Sequence, residues 1–114
     1  MNHRDTQILL KVIQEIDVAL EMMGQINVED FQKNEMLKRA VCMTVINIGE
    51  LVKNITDETR NANKHIPWKA VAGFRDIAAH KYQTLKMDDV YQTVRVDFPQ
   101  LKTNLKDILK KEEI

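Results

Sequence analysis

Apolar positions recur every three to four residues along most of this chain, the spacing that gives a helix one buried face. Ile8, Leu9, Val12, Ile13, Ile16, Ala19, Leu20 and Met23 form the first such run, with Asp5 or Thr6 placed to cap it and Gly24 to stop it. Asn27 opens a second, longer helix that carries Glu29 and Asp30 in its first turn, where the helix dipole favours negative charge. It reaches about Asn54 on Phe31, Leu37, Val41, Thr44, Val45, Ile48, Leu51, Val52 and Ile55. A short helix is predicted over 56–63. Trp68, Val71, Phe74 and Ile77/Ala78 then give the next helix its buried side, with Pro67 suited to its first turn. A last helix begins at Asp88 on Val90, Tyr91, Val94, Phe98, Leu101, Leu105, Ile108 and Leu109, and Pro99 should kink or split it near Asp97. The pattern predicts an all-α, four- to five-helix up-and-down bundle with no strand, no repeat and a single domain over residues 1–114.

The second helix has a further apolar set on its other side: Met36, Met43 and Ile46, with Cys42 and Gly49 between. A helix apolar nearly all round must be covered nearly all round. Either the rest of the chain wraps it, or a second copy covers what is left, making a homodimer.

Composition changes this picture little: 44% hydrophobic and 30% charged residues in 114, with three Gly and two Pro, suit one small helical core. No run of about 18 apolar residues is present, so no membrane span is expected. Nor does the N-terminus have the apolar stretch of a signal peptide. The lone Cys42 excludes an intrachain disulfide and a multi-cysteine zinc site, which fits a cytoplasmic location. Three scattered His add no metal constellation and no cofactor is implied.

Charge distribution matters more. The chain is neutral overall, yet residues 60–86 hold six Lys/Arg (Arg60, Lys64, Lys69, Arg75, Lys81, Lys86) against the single Asp76. Such a segment can be a phosphate footprint or a solvated surface that balances the acidic helices before it. Within it lies Arg75-Asp76-Ile77-Ala78-Ala79-His80-Lys81-Tyr82, with the pattern R-x4-H-x-Y.

Arg and His are the pair needed to cut RNA without a metal. The histidine pKa lies near neutrality, so His80 can accept a 2′-hydroxyl proton or protonate a leaving 5′-oxygen. Arg75 offers a planar fork of donors to phosphate oxygens. Asp76, four residues before His80, can orient the imidazole. Arg75 and His80, however, point roughly 140° apart on a regular helix. They converge on one phosphate only if the helix is irregular there or a second subunit completes the site. Alternatively, Arg75 pairs with an acidic helix and His80 caps a helix end. Tyr82 could stack a base, touch a phosphate or be a half-buried aromatic. Lys69, Lys81 and Lys86 are candidate RNA-binding cations. Glu50 reads as a structural ion-pair partner, Trp68 as core, and His65 and His3 as unremarkable.

The motif, together with Ile66-Pro67-Trp68, Gly73-Phe74, Val28-Glu29-Asp30-Phe31 and Ile48-Gly49-Glu50-Leu51, resembles the minimal HEPN proteins, specifically the HepT toxins of HepT/MntA-type toxin–antitoxin pairs. The likeness runs through nearly the whole chain. It implies a bundle that dimerises with two Arg–His motifs facing a shared cleft. It also implies a metal-independent endoribonuclease acting on messenger or transfer RNA and leaving a cyclic phosphate. Arg75, Asp76 and His80 occupy the catalytic places. The resemblance further implies a nucleotidyltransferase (MntA-like) antitoxin that transfers AMP from ATP onto the motif tyrosine, here Tyr82. Asp76 stands where many relatives have Asn. The competing reading is a non-catalytic HEPN module that binds nucleotides or a partner through the same dimer, or a plain helical dimerisation protein.

Overall fold

The computed structural model describes the backbone of residues 1–80 and 82–112, and their side chains except those of Arg75, Ile77, Ala78, Ala79 and His80. Among the described residues there is no strand, and the fold is an all-α bundle of about 46 × 27 × 20 Å. Helix α1 spans His3–Met23 and buries Leu9, Val12, Ile16 and Ala19 completely. Its cap is neither Asp5 nor Thr6. The Asn2 side chain accepts from the Asp5 N–H at 2.6 Å instead. Asp5 is wholly buried and reaches across the fold, accepting from the Thr56 and Thr59 hydroxyls at 2.6 Å each and from the Thr56 N–H at 3.3 Å. Local spacing cannot reveal that role, because the donors lie some fifty residues away. Gly24 ends α1 at φ +50°, a conformation that glycine adopts without steric cost.

The long second helix is two. Helix α2 (Val28–Lys33) is capped by Asn27 as expected, but Asn34 adopts an extended conformation and starts α3 (Glu35–Lys53) by accepting from the Leu37 N–H at 3.0 Å. Asn is among the best capping residues, and here it starts a new helix where the apolar face of Phe31 is not continued at positions 34, 35 or 38. Helix α3 is the central element, packed by α1 on one side and α5 (Trp68–His80) on another. Its extra apolar face is partly wrapped by the chain itself. Cys42 and Gly49 are buried, whereas Met36 (85% exposed) and Met43 (57%) face outward.

Helix α4 (Asp57–Ala62) is capped by Thr56, inside the predicted span. From it, Arg60 donates to the Val52 carbonyl at 2.8 Å and the Ile55 carbonyl at 3.2 Å, satisfying acceptors at and beyond the end of α3. Pro67 stands just before α5, and the Trp68 indole N–H donates to the Asn63 carbonyl at 3.0 Å. Trp68 is buried, as its place in the spacing predicts, with Val71 and Phe74 half-buried beside it. After a single 3-10 turn (Tyr82–Thr84), α6 (Met87–Gln92) passes through a π turn at Thr93–Asp97 into α7 (Phe98–Glu112). The split falls where Pro99 predicts it. Proline has no N–H to donate and its ring crowds the carbonyl four residues back, and the wider π turn, in which Phe98 bonds to Thr93, relieves that crowding. Arg95, inside this turn, donates to the Gly24 and Ile26 carbonyls at 2.7 and 2.8 Å, while Tyr91 donates to Ile26 at 2.8 Å. Together they pin the π turn to the connection between α1 and α2.

Candidate functional site

The R-x4-H-x-Y string begins inside α5 and ends on the 3-10 turn beyond it. The backbone stays α-helical through His80, so Arg75 and His80 lie on one regular helix and local irregularity does not bring them together. The side chains of Arg75 and His80, and Lys81 altogether, lie outside the described residues.

Two described motif residues fix how the segment sits. The Asp76 carboxylate accepts from Lys53 Nζ at 2.7 Å, at the C-terminal end of α3. Tyr82, six residues on, reaches the opposite end of α3, where its hydroxyl donates to Glu35 Oε1 at 3.3 Å. The motif therefore runs back along α3, and the central helix is its floor.

Around Tyr82 the surroundings are charged. Glu35 also accepts from Arg39 Nε and from Lys38 Nζ, each at 3.0 Å, and the Arg39 guanidinium lies 5.2 Å from the Tyr82 ring centroid. The hydrogen bond from Lys38, helped by the Lys38 and Arg39 charges, holds the Glu35 carboxyl below its usual pKa. Partial burial, followed by the negative Glu35, pushes the Tyr82 phenol up. The phenol is thus firmly protonated at neutral pH and acts as a donor. Glu35, Lys38, Arg39 and Lys53 did not stand out in the sequence. The one signal was the Glu35–Lys38 and Glu35–Arg39 spacing of three and four, which marks a surface ion pair without indicating what it serves.

The remaining candidates are dispersed. Lys69 and Lys86 are exposed, Lys69 on the second residue of α5 and Lys86 just before α6. Lys69 is eleven residues from His80, about 16 Å along the helix axis at 1.5 Å per residue, so the structure does not bring these two together. Arg60 is committed to the carbonyls near the end of α3. Glu50 is exposed on α3, and His3 and His65 are exposed. Cys42 lies beneath the Tyr82 side of α3, and burial pushes its thiol up to about 11, which makes it a packing residue and not a nucleophile. Among the described residues no three His, Cys, Asp or Glu come together as a metal site, and no helix is long and apolar enough to cross a membrane. An apolar cavity of about 300 Å³ lies between α3, α5 and α7, lined by Val45, Ile48, Val71, Phe74, Phe98 and Leu101.

Comparison with known proteins bears on this arrangement. The family model described as "Ribonuclease HepT-like" matches residues 11–108, a span that includes the whole motif. A protein of Caldanaerobacter subterraneus subsp. tengcongensis named "Putative RNase" is 35% identical over 102 residues, covering 90% of this chain and 91% of its own. Another of that name, from Methanocaldococcus jannaschii, is 31% identical over 111 residues, covering 96% and 92%. The "Probable ribonuclease HepT" of Thermococcus cleftensis is 29% identical over 109 residues, covering 96% and 97%. No solved structure gives a significant match. The resemblance to HEPN proteins and the all-α bundle agree with these findings, and the chain belongs to the HepT-like ribonuclease family.

Proposed function

We propose that this protein is a metal-independent endoribonuclease, the toxin of a prokaryotic toxin–antitoxin pair, working as a homodimer from one domain over residues 1–114. The observation that carries the reading is the R-x4-H-x-Y string within the span matched to the HepT-like family. In this mechanism His80 accepts the proton of the 2′-hydroxyl, whose oxygen attacks the adjacent phosphorus. Arg75 stabilises the charge that grows on the phosphate oxygens, and the 5′-oxygen leaves, giving a cyclic phosphate. Asp76 sets the orientation of His80, and Lys53 in turn fixes Asp76. The regularity of α5 supports a site that combines Arg75 of one subunit with His80 of the other across a shared cleft. Lys69, Lys81 and Lys86 are assigned to phosphates of a messenger or transfer RNA on either side of the cut. A nucleotidyltransferase antitoxin silences the enzyme by transferring AMP from ATP to Tyr82, which adds bulk and negative charge two residues from His80. Such a chain works in the cytoplasm, where its substrate and its partner are found.

The test uses the purified protein with chelator, on an RNA and on the same RNA carrying 2′-deoxy positions. Cleavage of the first alone is expected, and it should disappear in His80→Ala and Arg75→Ala. Intact RNA at high protein concentration, with Tyr82 shown by mass to be unmodified, would leave a non-catalytic HEPN binding module. Co-expression with a nucleotidyltransferase antitoxin of the MntA type is expected to add mass in multiples of AMP at Tyr82.

A further inference from the structure

Tyr82 meets two charged side chains of α3, Glu35 and Arg39, and Lys38 joins them through Glu35. Glu35 takes the phenolic hydrogen bond at 3.3 Å and the Arg39 Nε–H bond at 3.0 Å on the same oxygen, Oε1. Arg39 Nε is therefore within about 6 Å of the Tyr82 hydroxyl oxygen. Lys38 occupies the other oxygen, Oε2, at 3.0 Å. Two cations thus face one carboxylate, and the neutral phenol leaves the set with one uncompensated positive charge.

We propose that the Glu35–Lys38–Arg39 cluster is the receiving site for the modification of Tyr82: Glu35 holds the hydroxyl as nucleophile and takes its proton, and Arg39 with Lys38 then holds the phosphodiester. This rests on the adenylylation reading above and goes beyond it in naming which residues of this chain serve that reaction. In the transfer step the phenolic oxygen bonds to the α-phosphorus of a nucleoside triphosphate. The bond from that phosphorus to the bridging oxygen breaks, and pyrophosphate leaves with the electron pair. The phenolic proton passes to Glu35, which later releases it to solvent. Because the phenol is held protonated beforehand, its proton has to depart as the new bond forms, and a carboxylate already accepting from it is the group in place to take it. The product ester has no hydrogen to donate, so its bond to Glu35 is lost. It brings one negative charge, which the set's surplus cation balances, and the Arg39 fork suits two phosphate oxygens.

The full chain is incubated with an MntA-type nucleotidyltransferase and ATP, and AMP incorporation is followed by intact mass. Glu35→Gln keeps an acceptor for the hydroxyl but removes the base. It is expected to slow incorporation at saturating ATP at least tenfold, with the KM for ATP and the melting temperature unchanged. Arg39→Gln should still be adenylylated, with the ³¹P resonance of the phosphodiester displaced towards that of a free tyrosine–AMP ester. Arg39→Lys should restore part of the shift. A wild-type rate in Glu35→Gln, or an unmoved resonance in Arg39→Gln, overturns this inference while leaving adenylylation standing. A wild-type chain that gains no mass at Tyr82 overturns both.

Discussion

Asp5 carries a charge into the interior, held by two hydroxyls and one backbone N–H, with the Arg4 charge adding to them. Burial works to raise its pKa, but the bonds from Thr56 and Thr59 together outweigh it and leave the carboxyl below its ordinary value. A depressed folded-state pKa means that the native state holds its proton less tightly than the unfolded chain. The contribution to stability is therefore complete above an unfolded pKa of about 3.9 and fades as pH falls through the lower folded value. Asp5→Ala should cost about 2–4 kcal/mol, since it strands buried donors and empties space. Urea unfolding at pH 7 checks the size. Repeating it towards pH 3 should narrow the gap between wild type and variant. Sequence spacing placed Asp5 at the start of α1, but its partners on α4 become neighbours only in the folded chain.

Elements were more legible than their boundaries. The apolar runs fell on real helices because each helix here has a face to bury, and the Pro99 interruption followed from the missing N–H and the crowding ring of proline. The break at Asn34 was not read from the apolar positions, although Phe31 and Leu37, six residues apart, point roughly 120° from each other on a regular helix, and it is the Asn side chain's bond to the Leu37 N–H that makes a cap there. Removing that bond in Asn34→Ala is expected to lower stability by about 1 kcal/mol, the ordinary worth of a cap. A larger effect is expected for Arg95→Met, about 2 kcal/mol, because two carbonyls of the α1–α2 connection lose their charged donor. Thermal melting of both variants against wild type orders them.

For the molecule as a whole, the regular course of α5 turns the question of the site into one of stoichiometry. The angular separation of Arg75 and His80 was legible in the sequence because it needs only the helical period. The cluster at Tyr82 was not, because it depends on α5 lying along α3. If each site takes Arg75 from one subunit and His80 from the other, two dead variants should complement. Mixing Arg75→Ala with His80→Ala chains after unfolding and joint refolding should recover about a quarter of the wild-type RNA cleavage, since half the dimers would be mixed and each would hold one intact site. No recovery would point to a site within one chain. Sedimentation at micromolar concentration should give twice the 13.3 kDa chain mass.

The bonds that tie Arg60 to the carbonyls near the end of α3 have a consequence for how tightly RNA is held as salt rises. Each cation that neutralises a phosphate on a single strand displaces about 0.7 of a condensed counterion, so the logarithm of affinity falls linearly with the logarithm of salt concentration. With Arg60 committed elsewhere, residues 60–86 retain Lys64, Lys69, Arg75, Lys81 and Lys86. If that segment alone meets the strand, the slope should be no steeper than about −3.5 per chain. Fluorescence anisotropy with a labelled RNA across a potassium chloride series measures it directly. A steeper line would mean that the strand also crosses α3 and recruits its cations.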